Sequence, residues 1–201
     1  MSEKSAEAKE KYDCVSMGSC TLDIIMGVTD VMRFEVFQND TEKKYIAIEY
    51  STKKNVNDLK TFPGGSAANI AADMAMIGMK TAYIGCVGED ASGYTCVEDL
   101  NDHGVNTEFV FKTADDSTAT SIILFSPWGK DRSILAYKGA NDLITKEHVK
   151  KARSVLENTK VFAWTSLTSD NGIEAIEEAI KIVKAANPDA LIAGAPSISI
   201  I

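Results

Sequence analysis

Two short segments of the chain combine residues that could hold a neutral, hydroxyl-rich molecule. In one of them, Gly64 and Gly65 precede a helix-like run that carries Asn69 near its start. Glycine lets the backbone approach a ligand closely, and the first turn of a helix has unpaired N–H groups and a positive dipole end. The amide of Asn69 adds a donor and an acceptor. A tight turn before a core helix, with Asn69 bonded to the backbone, explains this spacing equally well.

The other segment follows the first predicted strand and runs from Gly18 to Asp23. In open α/β sheets, ligands bind in the crevice beyond the carboxyl ends of the strands. A carboxylate at that place can accept hydrogen bonds from two sugar hydroxyls, which makes Asp23 a candidate binding residue. Taken alone, Asp23 is explained equally well as part of a turn or as a helix cap.

These two segments sit in a chain whose strand and helix patterns alternate. Predicted strands lie at 14–18, 81–87, 161–164 and 190–193, and predicted helices lie at 67–77, at 90–103, after Thr145 and around 173–183. Asp90 and Thr145 are expected to cap the helices that they precede. Repeated strand–helix–strand units predict a Rossmann-like α/β fold, with a mainly parallel sheet and helices on both faces.

Two β-rich stretches, roughly 28–62 and 109–137, do not fit this alternation. We interpret them as a small inserted β-strand lid, with a turn at Pro127-Trp128-Gly129. Residues 1–11 are charged and lack an apolar run, so we expect a disordered tail and not a secretory signal. The remaining residues, 12–201, are expected to form one α/β domain that is incomplete at its C-terminal end.

The composition excludes several classes of function. A formal net charge of −8 argues against a nucleic-acid partner, and no run of 18 apolar residues suggests a membrane span. Four cysteines without a CxxC pair, and only two histidines, argue against a zinc site, and we expect no metal ligands. The cysteines are typical of reduced, buried thiols in a cytoplasmic protein.

The order of the motifs along the chain resembles a known family. The segments are Gly18 with Asp23, Gly64 to Asn69, Gly78, Gly88-Glu89-Asp90 with Gly93, Gly104-Val105, Thr118, Arg132-Ser133-Ile134 and Gly139-Ala140-Asn141. Together they resemble the N-terminal and central part of the ribokinase-like (PfkB) carbohydrate kinases. The double-glycine segment with its ordered downstream glycines is fairly specific, whereas any single glycine pair is a weak signal.

The resemblance implies a kinase that uses ATP and Mg²⁺ to phosphorylate a hydroxymethyl group of a sugar or nucleoside. It implies that Asp23, Gly64, Gly65 and Asn69 hold the hydroxyls of the acceptor. Arg132 is a candidate for an anionic part of the substrate, although a solvated strand charge is the better explanation of that residue. Related lids often pair between subunits, so a homodimer formed through the lid is expected, with a small-molecule substrate as the other partner.

One departure from the family pattern is important. The family's second signature, a Gly-Ala-Gly-Asp segment that supplies the catalytic base and an anion hole, does not occur in these 201 residues. The run Gly194-Ala195-Pro196-Ser197 lacks the second Gly and the Asp, and neither a P-loop nor a GxGxxG fingerprint is present. We therefore assign no catalytic residue, expect the base to lie beyond the chain end, and interpret the chain as a truncated product or fragment.

Three functions remain open from the sequence. The first is the acceptor-binding part of a sugar or nucleoside kinase, inactive on its own because it lacks the ATP-binding segment. The second is a non-catalytic sugar-binding or nucleoside-binding module with a regulatory role. The third is a nucleotide-binding α/β protein of another class, such as a dehydrogenase, against which the missing phosphate fingerprint argues.

Overall fold

The structure is a computed structural model, and it describes residues 11–38, 41–125 and 132–196. The predicted turn at 127–129 and most of the predicted tail at 1–11 therefore lie outside the described residues. The chain divides into two compact units. The main unit comprises Met1–Leu22, Pro63–Thr120 and Tyr137–Ile201, and the small β unit comprises Asp23–Phe62 and Ser121–Ala136.

Within the main unit, strands and helices alternate along the chain as the sequence patterns indicate. The first half contains β1 (Tyr12–Met17), β2 (Thr21–Gly27), β3 (Met32–Gln38), β4 (Thr41–Ala47), β5 (Asp58–Gly64), α1 (Ser66–Met76), β6 (Thr81–Gly88) and α2 (Ala91–Asp102). The second half contains β7 (Val110–Thr113), β8 (Thr120–Phe125), β9 (Arg132–Tyr137), a 3-10 helix (Gly139–Leu143), α3 (Lys146–Lys151), α4 (Arg153–Leu156), β10 (Thr159–Thr165), α5 (Asp170–Ala186) and β11 (Leu191–Ala195). Of the helices in the described ranges, none has the length and apolar character that crossing a membrane requires.

The main unit is built on a five-stranded sheet. Its strand order is β11-β10-β1-β6-β7, and neighbouring strands run parallel. Met17 at the end of β1 lies level with Trp164 of β10 and Ile84 of β6. Because parallel strands point the same way, the carboxyl ends of these three strands meet at one edge of the sheet. The predicted α/β fold with a mainly parallel sheet is confirmed.

Two hydrophobic cores cover the two faces of this sheet. Along β6, Ala82 and Ile84 join one core, whereas Tyr83 and Val87 join the other, as the alternation of side chains in a strand requires. The first core is completed by α3, α4 and α5, and the second by α1 and α2. Full burial of an aliphatic side chain contributes about 1.5–3 kcal/mol. A strand covered on both faces is therefore expected to be mainly apolar, and in β6 every residue after Thr81 lacks a charge and is buried.

Helix caps mark the places where the chain turns from strand to helix. The Asp90 carboxylate Oδ1 accepts a hydrogen bond from the Gly93 amide at 2.8 Å and caps α2. The Ser169 hydroxyl accepts one from the Gly172 amide at 3.1 Å and caps α5. A capping box with Thr145 begins α3. The predicted caps at Asp90 and Thr145 are confirmed.

The small β unit contains two sheets. One has the strand order β5-β2-β8-β9, and the other is the antiparallel hairpin of β3 and β4, in which Phe34 faces Tyr45. The sequence placed the whole of 109–137 in the lid, but β7 pairs in parallel with β6 and belongs to the main sheet. The short β7 strand has too few residues to show a pattern of its own, which explains the different boundary.

All four cysteines lie within the described residues, are buried and form no disulfide. Burial raises the pKa of Cys14 and of Cys86 to about 11, with a smaller contribution at Cys14 from the charge of Asp13. Both thiols are therefore protonated at neutral pH and unreactive. They act as small packing groups in the core of the main unit.

Candidate functional site

The loop of Gly18, Ser19 and Cys20, which we call the β1–β2 loop, lies at the carboxyl edge of the main sheet. Gly18 has a φ of +146°, and an added Cβ would overlap the Thr165 hydroxyl and lie 3.1 Å from the Ala67 Cβ. The loop is thus packed between the end of β10 and the start of α1. Only glycine fits at position 18 without moving one of these elements.

Gly65 is the second close contact in this region. Its φ is +100°, and an added Cβ would lie 2.5 Å from the Ser19 carbonyl oxygen and 2.6 Å from the Cys20 Cα. The neighbouring Gly64 is buried at the end of β5. The sequence interpretation was that these glycines admit a ligand. At Gly65 the structure gives a different reason, because the backbone of the β1–β2 loop approaches this residue.

Ser19 occupies part of the N-terminus of α1, which the sequence predicted to be available to a ligand. The Ser66 amide donates to the Ser19 hydroxyl oxygen at 3.0 Å, and the Ala68 amide donates to the Ser19 carbonyl at 3.2 Å. The expectation that the first turn of α1 presents free N–H groups is therefore wrong for these two amides. Since both are used inside the protein, the helix start offers a ligand fewer amides than its sequence suggested.

Two buried polar side chains hold the same loop from the opposite side. The Cys20 amide donates to the Asn141 Oδ1 at 3.1 Å, and the Ser19 amide donates to the Thr165 hydroxyl oxygen at 3.4 Å. Asn141 and Thr165 are buried. Neither role was predicted, because the two partners lie more than a hundred residues away from the loop. The β1–β2 loop is consequently fixed by hydrogen bonds to three separate parts of the main unit.

A buried tyrosine adds a further contact to the loop. The Tyr83 hydroxyl donates to the Gly18 carbonyl oxygen at 2.7 Å. Burial raises the pKa of Tyr83 well above its ordinary value, so the hydroxyl remains a neutral donor. Tyr83 was not among the residues that the sequence patterns singled out. The one available signal was Gly85 within an otherwise apolar strand, because a glycine there often marks a close approach.

Asn69 lies in the first turn of α1 with an exposed side chain. Its backbone amide donates to the Gly65 carbonyl at 2.9 Å. Among the residues that the structure describes, none forms a hydrogen bond with the Asn69 side chain. The alternative in which this side chain satisfies the local backbone is therefore not what the structure shows.

The remaining sequence candidates belong to the small β unit. Asp23 is half-buried in β2, and Arg132 is exposed at the start of β9. In the four-stranded sheet, β8 separates these two strands. The turn or helix cap that could have explained Asp23 is not observed, because the residue lies within a strand. Gly64, Gly65 and Asn69 belong to the main unit.

A second polar cluster lies at the carboxyl end of β6. The Asp90 carboxylate accepts hydrogen bonds from the Gly93 amide, from the Thr118 amide at 2.8 Å and from the Thr118 hydroxyl at 2.7 Å. The Thr118 hydroxyl oxygen in turn accepts from the Gly88 amide at 2.9 Å. Burial alone would raise the pKa of Asp90, but these hydrogen bonds outweigh it and lower the pKa. The cluster fixes the start of α2 to the segment that leads into β8.

Comparison with known proteins agrees with this architecture. Residues 31–198 match the model of the pfkB family of carbohydrate kinases. A ribokinase of Mus musculus is 36% identical over 98 residues, which cover 49% of this chain and 30% of that protein. A 5-dehydro-2-deoxygluconokinase of Lacticaseibacillus casei is 35% identical over 150 residues, which cover 69% of this chain and 43% of that protein.

Solved structures share the fold. A ribokinase from Giardia lamblia superposes with a TM-score of 0.74 at 19% identity, covering 94% of this chain and 52% of that one. A putative ribokinase II from E. coli, in complex with ATP and Mg²⁺, gives a TM-score of 0.71 at 19% identity, and the match covers 91% of this chain and 52% of that one. The chain thus spans about half the length of these solved relatives, and less than half that of the two curated ones.

Proposed function

Because the chain belongs to the pfkB family of carbohydrate kinases, we propose that it provides the acceptor-binding part of an ATP-dependent kinase. The acceptor is a sugar or nucleoside, and the phosphoryl group goes to a hydroxymethyl oxygen. The observation that supports this most is the β1–β2 loop, which contacts Gly65 and is hydrogen-bonded to the first turn of α1, the turn that carries the exposed Asn69 side chain. It lies at the sheet edge where open α/β proteins bind their ligands.

The proposed roles follow from the chemistry of each residue. Asn69 binds acceptor hydroxyls with its side-chain amide, which can both donate and accept. Asp23 accepts hydrogen bonds from two hydroxyls through its carboxylate. Gly64 and Gly65 keep the backbone before α1 free of side chains. Arg132 contributes only if the acceptor carries an anionic group, since a guanidinium favours a carboxylate or phosphate partner over a neutral hydroxyl.

ATP and Mg²⁺ are the cofactors that the family implies, and we propose that the described residues of this chain do not form their site by themselves. Across residues 11–38, 41–125 and 132–196, no group of three His, Cys, Asp or Glu side chains could hold a metal ion. The sequence also lacks the Gly-Ala-Gly-Asp segment that the resemblance leads us to expect. We therefore derive no step of the reaction from this chain and assign it acceptor binding alone.

Ligand screening tests the proposal directly. A compound that binds the folded chain raises its melting temperature, and saturation at 100 times Kd is worth about 2.7 kcal/mol. Asn69→Ala should weaken the affinity of a confirmed sugar or nucleoside about three- to tenfold, and Asp23→Ala about tenfold or more, because bonds to a charged group are stronger. Asp73→Ala, an exposed change on the same helix, should leave the affinity unchanged. The proposal fails if no sugar or nucleoside binds, or if all three variants lose affinity equally.

The chain alone should release no ADP from ATP in the presence of its acceptor. Phosphoryl transfer depends on positioning, and loss of a site that aligns a reactant can forfeit about 7–11 kcal/mol. A coupled ADP-release assay with the same compounds measures this, and robust turnover would contradict it.

Because the Gly-Ala-Gly-Asp segment does not occur in these residues, a non-catalytic binding module is the second candidate function. An in-frame Gly-Ala-Gly-Asp segment in the DNA beyond the codon for Ile201 would favour the kinase. A stop codon at that place would favour the non-catalytic binding module.

We also propose that two copies of the chain pair through the β3–β4 hairpin. The hairpin is a separate two-stranded sheet in which Phe34 stacks on Tyr45, with ring centroids 5.1 Å apart. Met32, Phe34 and Tyr45 are all exposed. Exposed contiguous apolar surface of this kind is typical of a protein interface, and a second copy would present the same surface in a self-complementary pair.

A further inference from the structure

Tyr83 is a buried residue that the proposed function leaves without a role. It lies on β6, an inner strand of the main sheet, and its side chain is fully buried. Its hydroxyl donates to the Gly18 carbonyl oxygen of the neighbouring strand segment at 2.7 Å. A buried hydroxyl needs a hydrogen-bond partner, and here the partner is the first residue of the β1–β2 loop.

The strand around Tyr83 leaves room for this contact. An added Cβ at Gly85, two residues further along β6, would overlap the Tyr83 hydroxyl. The parallel register sets Met17 level with Ile84, so the next residues, Gly18 and Gly85, are neighbours across the two strands. The tyrosine side chain therefore lies along its own strand, over Gly85, and ends at Gly18.

The contact reaches the acceptor site through the loop. Gly18 is followed by Ser19, whose hydroxyl and carbonyl oxygens accept from the Ser66 and Ala68 amides of α1. A shift of the Gly18 peptide would move Ser19 and loosen the turn of α1 that carries Asn69. Tyr83 itself is buried in the core beneath the loop and has no access to a ligand.

We infer that Tyr83 is a positioning residue of the acceptor site, and that its hydroxyl fixes the β1–β2 loop in the conformation that binds the acceptor. The effect on acceptor affinity rests on the proposed function. The effect on the loop does not, because it concerns hydrogen bonds within the main unit.

Tyr83→Phe tests the inference, since it removes one hydroxyl and leaves the ring in place. Tyr12→Phe is a matched control. Tyr12 is also buried, and its hydroxyl accepts from the Asn106 Nδ2 at 2.6 Å, but it lies at the opposite end of β1. Each variant loses a hydrogen bond of its hydroxyl, which Tyr83 donates to a backbone carbonyl and Tyr12 accepts from a side-chain amide. Only the one at Tyr83 should affect the loop.

Two measurements are made on the parent protein and both variants. Hydrogen exchange followed by mass spectrometry should show faster exchange in peptides covering 18–22 and 65–70 for Tyr83→Phe, and unchanged exchange there for Tyr12→Phe. Affinity for a sugar or nucleoside found by screening should fall about three- to tenfold for Tyr83→Phe, the amount expected for one buried hydrogen bond. Tyr12→Phe should keep the parent affinity.

The outcomes separate this inference from the proposed function. Unchanged exchange in Tyr83→Phe, or an equal effect of both variants, overturns the role of Tyr83 whatever the ligand. Faster exchange with unchanged affinity overturns its link to the acceptor while the proposed function stands. If the parent protein binds no sugar or nucleoside, the proposed function fails and the link to the acceptor fails with it. The exchange data then decide the loop-fixing role alone.

Discussion

Gly65 shows how one residue joins two elements of the main unit. Its φ of +100° is rare for residues with a side chain, and an added Cβ would contact the backbone of Ser19 and Cys20. Backbone atoms cannot move aside as a flexible side chain can. Gly65→Ala therefore combines conformational strain of about 1–3 kcal/mol with overpacking of about 1–3 kcal/mol. We expect it to lower the free energy of unfolding by at least about 2 kcal/mol, measured by urea denaturation.

Gly78→Ala serves as the control for this prediction. Gly78 also has a positive φ, +89°, but an added Cβ there would have no heavy atom within 4 Å. This variant should lose only the strain component, so its stability should fall less than that of Gly65→Ala. An equal decrease in the free energy of unfolding for the two variants would show that the contact between Gly65 and the β1–β2 loop has no energetic consequence.

Part of the site was predictable at the level of single residues, and part was not. The Gly64-Gly65 pair and Asn69 form one continuous segment, so their spacing is visible in the sequence. The side chains of Tyr83 and Asn141 reach the β1–β2 loop from 65 and 121 residues away. No local pattern indicates that a buried tyrosine or asparagine will meet a given loop. Such contacts depend on strand order and register, which the sequence leaves open.

At the scale of elements, Asp90 connects the start of α2 with the segment that leads into β8. The carboxylate accepts bonds from Gly93 and Thr118, which lower its pKa below the ordinary value of 3.8 despite burial. A depressed folded-state pKa means that the stabilisation is present above the unfolded-state pKa and is lost as the pH falls through the folded-state pKa. Asp90→Ala should lower the free energy of unfolding by about 2–4 kcal/mol at neutral pH, because it removes a helix cap and the hydrogen bonds to a charged acceptor.

This cost should depend on pH in a defined direction. The stability difference between the parent and Asp90→Ala should stay constant down to about pH 4 and shrink below it, as the carboxylate becomes protonated. Ser169→Ala removes an uncharged cap from α5 and should cost about 1 kcal/mol at every pH. Chemical denaturation of the three proteins between pH 7 and pH 3 measures both trends. A pH-independent cost for Asp90→Ala would show that its charge does not matter.

The elements themselves were predicted well wherever the periodicity was strong. Of the predicted helix stripe of Ile173, Ile176, Ile180 and Val183, the last three pack in or against the core, whereas Ile173 is exposed. The apolar strand β6 lies where the sequence predicted it. The boundary of the β-rich part differed, because β7 has only four residues and a parallel partner. The strand β2 was not predicted, since Thr21 to Gly27 follow directly after the β1–β2 loop and read as its continuation. Short strands and strands without a turn between them carry little signal of their own.

The whole molecule carries a formal net charge of −8. A field of this sign disfavours anionic ligands and favours neutral ones by comparison, which agrees with a polyol acceptor. It also works against association of two copies, so a dimer needs an apolar surface large enough to outweigh the repulsion. Within the described residues, the β3–β4 hairpin offers such a surface on one of its two faces.

The register of the hairpin shows which face this is. Met32 lies opposite Ala47 and Phe34 opposite Tyr45, so one face is mainly apolar. The other face carries Arg33, Glu35 and Phe37, with Lys44 and Glu42 among their partners. A dimer should therefore bury the face of Phe34, because burying the mixed face would desolvate several charged groups.

Two variants that differ only in the face they change test the dimer. Phe34→Glu places a charge on the apolar face, and Phe37→Glu places the same charge on the opposite face of the same strand. An aromatic residue central to an interface is commonly worth at least about 2 kcal/mol, so Phe34→Glu should raise the dimer dissociation constant about thirtyfold or more. Sedimentation velocity over a range of concentrations should show a dimer for the parent and for Phe37→Glu, and mainly monomer for Phe34→Glu. A parent protein that remains monomeric at high concentration, or equal weakening by the two variants, would contradict pairing through this face.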